Sequence, residues 1–308
     1  MRSLKEHRFT RPAGGRAARE ADTYTSERLE VLFDHLWKEG DKAVFKAVLC
    51  HDCGLIFTNP RMETSDVERK YRELAAMPSF RARARSSPPL DWSQRSERTK
   101  ALLSRARSLQ GASVLDYGGS GGHNLSAFLD FGPCYLLDYV RLDILEGAQY
   151  LGRDLDDIEM GLSFDVILAC HVLEHDPDPV GLLRRMAEHL SSRGLIYIEV
   201  PLGAFHEWRV LAEPLTHVNF FSERSAQSLA ERVGLEVVYV STDWQWVTRS
   251  ESWCVNLLAA RPSAGYPPAR RHPASTGMQM YDPRYLVPPA RRKIAGMAGR
   301  GLDRKGHR

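Results

Sequence analysis

Val114-Leu115-Asp116-Tyr117-Gly118-Gly119-Ser120-Gly121-Gly122 is the stretch that decides the fold of this 308-residue chain. A short apolar run ends in an acidic residue and then in positions with almost no side chain. That is how a buried parallel strand enters a turn which a nucleoside ligand can approach closely. Alternation of strands and helices continues outward from it. Residues 114–116, 135–138, 164–170, 195–200, 235–240 and 252–260 read as strands, with a weaker third strand near 149–155. Amphipathic helices fit between them, clearest at 179–190 and 222–233. Continuous apolar strands of this kind predict an α/β fold: a Rossmann-like, mostly parallel seven-stranded sheet with helices on both faces.

Upstream the pattern is less regular. Leu29, Leu32, Phe33 and Leu36 fall at helical spacing between a capping Ser26 and a terminating Gly40, which predicts a helix over 26–39. A strand over 44–49 enters the turn at 50–54. A second helix starts at 64 or 65 and carries Val67, Tyr71 and Leu74 on one face. Residues 78–93, rich in Arg, Ser and Pro, read as a linker to a helix over 93–109. Residues 1–22 are Arg-, Gly- and Ala-rich without apolar periodicity and are expected to be disordered. The Pro/Arg-rich stretch after Arg261 is expected to be so as well. The organisation is thus an N-terminal α/β segment over 1–92, a sheet domain over 93–261, and a basic tail over 262–308.

Composition narrows the class. With 43% hydrophobic and 26% charged residues, the chain supports one sizeable core plus appendages. No window approaches the roughly 18 apolar residues of a membrane span, and no signal-peptide core opens the chain, so a cytoplasmic protein is expected. Five scattered cysteines argue against a disulfide framework. The net charge of +3 hides an asymmetry: ten Lys and Arg face only Asp282 and Asp303 beyond Arg261, so residues 1–261 carry −5. That tail has only Tyr281 and Tyr285 as aromatics and no base-reading module, so nucleic acid is not expected as a partner.

The glycine turn fails the dinucleotide fingerprint G-x-G-x-x-G in both registers. From Gly119 the third position is Asn124, and from Gly118 the second is Ser120. Asp138 ends the second strand, where a carboxylate can take both ribose hydroxyls of any nucleoside or simply cap the turn.

The runs at 164–175, Phe-Asp-Val-Ile-Leu-Ala-Cys-His-Val-Leu-Glu-His, and at 193–201, Arg-Gly-Leu-Ile-Tyr-Ile-Glu-Val-Pro, make the pattern specific. They resemble the fourth and fifth strands of class I S-adenosylmethionine-dependent methyltransferases. His217-Val218-Asn219-Phe220-Phe221-Ser222 resembles a segment of that family's small-molecule and sugar-modifying branch. The resemblance covers about residues 100–260. It implies S-adenosyl-L-methionine as cofactor and a small-molecule methyl acceptor. Asp116, Gly118, Gly119, Ser120 and Gly122 would form the methionine end of the site, with serine at 120 where the family commonly has glycine. Asp138 would hold the ribose, and Asp154 or Asp156 would face the adenine.

Methyl transfer from a sulfonium needs alignment, exclusion of water and, for a hydroxyl acceptor, removal of a proton. His217, His171 and His175 are the candidates for that proton, the alternative being that they only orient loops. Thr216 stands where sugar C-methyltransferases carry glutamate before this histidine, which counts against C-methylation. Tyr71 and the stretches 205–208 and 244–246 are candidates for the acceptor pocket.

Two metal readings are set aside at this point, and no metal is expected. His171-x-x-Glu174-His175 matches the inverted zinc-protease pattern, but its first histidine ends a strand, and Pro177 and Pro179 follow. Residues 48–60 resemble the second half of a zinc module that precedes some of these methyltransferases. Cys50 and Cys53 supply two thiolates where a structural site needs four ligands, and no upstream pair exists. His35 or His51 could add a ligand; a metal-free remnant is expected. The competing functions are an NAD(P)-dependent oxidoreductase and a methyltransferase-like binding protein without turnover.

Overall fold

The computed structural model describes residues 1–12, 23–79, 89–205, 207–247, 250–267 and 269. A seven-stranded sheet runs in the order β10-β11-β8-β7-β4-β5-β6. Its strands are β4 (Val114–Tyr117), β5 (Cys134–Leu137), β6 (Ala148–Gly152), β7 (Phe164–Cys170), β8 (Leu190–Pro201), β10 (Glu236–Val247) and β11 (Ser250–Ala260). From β8 to β6 every pairing is parallel, while β11 joins β8 and β10 antiparallel. This is the mostly parallel seven-stranded α/β sheet that the alternation implies.

Side chains alternate across this sheet because successive strand residues point to opposite faces. Leu115, Ile167, Ala169, Ile196 and Ile198 belong to one core, with Leu182, Leu183 and Met186 of helix α4 (Pro179–Glu188) and Ala226, Leu229 and Ala230 of helix α5 (Glu223–Arg232). Val114, Val166, Leu168, Leu195 and Tyr197 belong to the other, covered by Leu103 of helix α3 (Pro89–Ala106) and by Leu125 and Phe128. Both helices α4 and α5 begin at side-chain caps: Asp178 accepts from Gly181 N–H, and Ser222 accepts from Ser225 N–H. Between β4 and β5 the expected helix shrinks to a single turn at His123–Leu125.

A second, antiparallel sheet has the order β1-β2-β3-β9. It is built from β1 (Arg2–Thr10), β2 (Lys42–Leu49), β3 (Ile56–Asn59) and the two-residue β9 (Asn219–Phe220). Strand β1 corrects the expectation of disorder over 1–22. It lies antiparallel on β2, burying His7 and Phe9 and leaving Lys5, Glu6 and Arg8 outside. Its inner face carries His7 and Phe9, with Leu4 half-buried at a bulge, too sparse an alternation to read alone. The ladder to β2 supplies what intrinsic propensity does not. Residues 13–22 and 270–308 lie outside the described residues, so the expectation for the tail beyond 269 does as well.

Helix α1 (Thr23–Val31) runs on as a wider turn at Leu32–Leu36, slightly ahead of the expected 26–39. Helix α2 (Asp66–Ala76) buries Val67 and Leu74 as its periodicity requires. The turn Cys50–Gly54 joins β2 to β3 with both thiols half-buried. Strand β9 ties the segment after β8 into the N-terminal sheet, which sets His217 beside His175, while helix α2 reaches the carboxyl edge of the large sheet. No helix among the described residues is long and apolar enough to cross a membrane.

Candidate functional site

Strands β4 and β5 deliver the glycine turn and Asp138 to the same point. Asp138 Oδ2 accepts from Ser120 N–H at 2.7 Å and Oδ1 from Val140 N–H at 2.8 Å. Burial pushes this carboxyl above its usual range, against the pull of those two amides. The turn needs its small residues. Gly118, Ser120 and Gly122 all have left-handed backbone (φ 68°, 56° and 78°), and a Cβ at Gly118 would meet Val172 Cγ2 at 2.9 Å. At Gly119 a Cβ would stand 2.0 Å from Asp116 Oδ2, so the backbone rests directly on that carboxylate.

Asp116 itself is fully buried beneath the turn, with Asn124 Nδ2 donating to both of its oxygens at 3.2 and 3.1 Å. Burial pushes its pKa up to about 7. It therefore shapes the turn from below, and the cavity above is lined by Gly118 and Asp138 instead. Of the two acids after β6, both pair with Arg185, at 3.0 and 2.9 Å, but only Asp154 also accepts from Tyr117 Oη, at 2.8 Å; Asp156 is exposed.

A cavity opens at the carboxyl edge of the parallel strands, the place where open α/β sheets take their ligands. One wall is Tyr117, Gly118, Asp138 and Tyr139; the opposite one is His171, Val172, His175 and Asp176. Helix α2 closes it with Val67 and Tyr71, whose ring stacks on Tyr139 at 5.6 Å and 12°. Of the expected pocket aromatics, Tyr71 lines it. Trp208 packs in the N-terminal core, donating to Ala204 O, and Trp244 stands edge-on to Trp253. The side chains of Phe205 and Trp246 lie outside the described residues.

The three histidines differ sharply. His171 ends β7 in a left-handed conformation (φ 57°), unusual for a residue with a Cβ. Its ring lies between two buried carboxylates, 3.1 Å from Glu174 and 3.2 Å from Glu199. Burial opposes its charge, but those two partners raise its pKa well above the ordinary value, so it is held as a cation. His175 is the opposite case, since burial lowers its pKa to about 3 and keeps the ring neutral. Its Nδ1 lies 2.5 Å from Thr216 O, and its ring is 4.9 Å from that of His217. His217 pairs through Nδ1 with Glu207 Oε2 at 3.0 Å, which outweighs burial and raises its pKa.

Several members of this network were not singled out from the sequence. Glu199 has no exposure and gathers Arg95 at 2.5 Å, Arg98 at 3.3 Å and Tyr197 Oη at 2.8 Å. Burial alone would raise its carboxyl, and the arginines and His171 draw it well below the usual range instead. An acidic residue inside the otherwise apolar run 195–200 was the available signal. Glu174 follows the same logic: burial opposes ionisation, but the His171 cation 3.1 Å away holds the carboxyl well below its usual range. Lys70, fully buried on α2, has its pKa lowered to about 8 by desolvation, and its Nζ donates to His175 O at 3.1 Å. Glu207 had no signal, because only the fold brings it to His217.

Residues 92–240 match the family model of a methyltransferase domain. No curated protein sequence matches the chain. Among solved structures, the 1,6-didemethyltoxoflavin-N1-methyltransferase of Burkholderia thailandensis, with 1,6-didemethyltoxoflavin and S-adenosylhomocysteine bound, superposes with a TM-score of 0.51 at 14% identity, covering 71% of this chain and 95% of that one. Magnesium protoporphyrin IX methyltransferase of Synechocystis, also with S-adenosylhomocysteine, gives 0.43 at 15% identity, covering 64% and 95%. The first likeness shows a shared fold. Within the matched stretch, the glycine turn, Asp138, His171 and His175 line the cavity at the carboxyl edge of the sheet.

Proposed function

We propose that this chain transfers a methyl group from S-adenosyl-L-methionine to a small molecule held between the glycine turn and the histidine wall. The observation that carries the reading is the 2.7 Å contact between Ser120 N–H and the Asp138 carboxylate, which sets a ribose-binding acid beside a turn too tight for a side chain at Gly118 or Gly119. The donor set fits the cofactor. Asp138 retains free lone pairs for the ribose hydroxyls, and Gly118 leaves room for the methionine end. Asp154, which accepts from Tyr117 Oη, is the acid that would face the adenine. When bound, the cofactor supplies an electrophilic methyl on a sulfonium.

The residues of this chain then have three tasks. Asp138 and the turn fix the donor. Tyr71, Tyr139 and Val172 narrow the space around the reacting atoms, which favours alignment and keeps water out. The corner formed by Glu174, His175 and His217 places and activates the acceptor's nucleophile. His171, charged between two carboxylates, is unsuited to take a proton and orients the strand end instead. A basic dinucleotide site is disfavoured because the turn lacks the third glycine of that fingerprint. Thermal unfolding with and without ligand tests the reading: S-adenosylhomocysteine should raise the melting temperature and NAD or NADP should not. Stabilisation by NAD alone would overturn it.

A further inference from the structure

We propose that Glu174, His175 and His217 bind one divalent transition-metal ion, zinc being the best fit to the set. One ligand atom from each residue lies within 4.8 Å of the other two. Zinc ligands about 2.1 Å from a tetrahedral centre stand about 3.4 Å apart, so a contraction of at most about 1.4 Å closes the set. His175 Nε2 already lies 3.6 Å from Glu174 Oε1.

The hydrogen bonds around the triad prepare these atoms. Thr216 O can only accept, so His175 Nδ1 carries the hydrogen of that 2.5 Å contact and Nε2 carries the lone pair. His217 is anchored in the same way, through Nδ1 on the Glu207 carboxylate at 3.0 Å. An imidazole whose second nitrogen donates to a carbonyl or carboxylate is the arrangement found behind metal-ligating histidines.

Glu174 is the second, independent observation. Its side chain is 1% exposed, yet neither carboxylate oxygen receives a hydrogen bond. His171 Nδ1 stands 3.1 Å from Oε1 as an ion-pair contact only, and Lys70 Nζ is turned to the carbonyls of His175 and Leu215. The His171 cation offsets the charge at Oε1, but Oε2 stays buried without a donor beside the imidazole lone pair of His175, an arrangement that a bound cation would relieve. One carboxylate oxygen and two imidazole nitrogens suit zinc and its neighbours rather than magnesium or calcium. The parallel grouping of His171, Glu199 and Cys254 is different, because Arg95 and Arg98 already neutralise Glu199 there.

Three protein ligands leave a coordination position for water or an acceptor oxygen, and His175 reaches the cavity wall. With the ion in place the corner holds the acceptor instead of taking its proton on a ring nitrogen. The proposal stands on these residues alone and does not depend on which nucleoside the glycine turn binds.

The test uses the full-length, tag-free protein stripped with a chelator and titrated with cobalt(II), read by its visible ligand-field bands, and with zinc(II) by calorimetry. One equivalent is expected to bind. His217→Ala and Glu174→Gln should each weaken binding about 100-fold or more, and Glu207→Gln about 10-fold or more, as loss of a supporting carboxylate does. A Cys50→Ser/Cys53→Ser variant should bind as the unaltered chain does. Circular dichroism shows whether each variant is folded, and the 30% exposed His217 side chain keeps its alanine variant informative should Glu174→Gln misfold. Failure to take up one equivalent at several-fold excess of either metal overturns the proposal. So does unchanged binding in folded His217→Ala, or loss of binding in the cysteine variant.

Discussion

Replacing Gly119 by alanine isolates the part of the site that has least room. The new methyl carbon would lie 2.0, 2.2 and 2.8 Å from Oδ2, Cγ and Oδ1 of Asp116, all far inside van der Waals contact. The carboxylate cannot retreat, since it has no exposure and is held by Asn124 from below. The turn must therefore lift. Overpacking of a close-packed interior costs about 1–3 kcal/mol. Disturbing the hydrogen bonds to a buried carboxylate adds about 1.5–3 kcal/mol. A total of about 3–5 kcal/mol corresponds to a fall in melting temperature of roughly 6–20 °C for a domain of this size. The lifted turn also separates Ser120 N–H from Asp138, so affinity for S-adenosylhomocysteine should fall below detection. Gly111→Ala is the control. Its φ is also positive, at 75°, but nothing lies within 4 Å of its Cβ, so only the backbone penalty of about 1 kcal/mol applies and ligand binding should be unchanged. Thermal unfolding with calorimetric titration reads both quantities. A Gly119→Ala protein that melts and binds like the unaltered chain would refute the reasoning.

Asp138→Asn keeps the shape but sets an amide N–H₂ against one backbone donor; binding of S-adenosylhomocysteine should weaken roughly 10- to 100-fold by titration, the loss of one charge-assisted hydrogen bond. The raised pKa of Asp116, about 7 against an unfolded value of 3.8, makes the folded state bind more protons between those values. Its contribution to stability is then fully present below about pH 4 and is lost as pH rises through about 7; denaturant unfolding across that window should show a decline that Asp116→Asn removes. Arg95→Ala leaves Glu199 without its closest cation and should destabilise the domain by about 3 kcal/mol, measured by urea unfolding. His217→Ala should lower turnover about 100-fold once an acceptor is in hand, while leaving affinity for S-adenosylhomocysteine unchanged.

The large sheet was readable because its strands are continuous apolar runs bounded by turn residues, and Leu115, Ile167 and Ile198 are buried as that reading requires. The turn and Asp138 were readable because backbone geometry restricts residue choice there. The N-terminal sheet was not, since β1 sets only Leu4 and Phe9 among polar and charged residues, out of step across a bulge, and gains its order from β2. The charge network was half-visible. His171, Glu174 and His175 stand together in sequence, but Arg95 and Glu199 come from distant positions, and Glu207 meets His217 across a loop without periodicity. The register of β9 against β3 decides that His217 meets this corner at all, and two residues carry no periodicity.

The central claim is that the turn and Asp138 grip S-adenosyl-L-methionine, and isothermal titration of the folded chain with S-adenosylhomocysteine and, separately, NAD tests it most directly. One equivalent of S-adenosylhomocysteine should bind, NAD should give no heat, and Asp138→Ala should abolish the first signal while the protein stays folded. Uptake of NAD without S-adenosylhomocysteine, or uptake of neither by folded protein, contradicts the account.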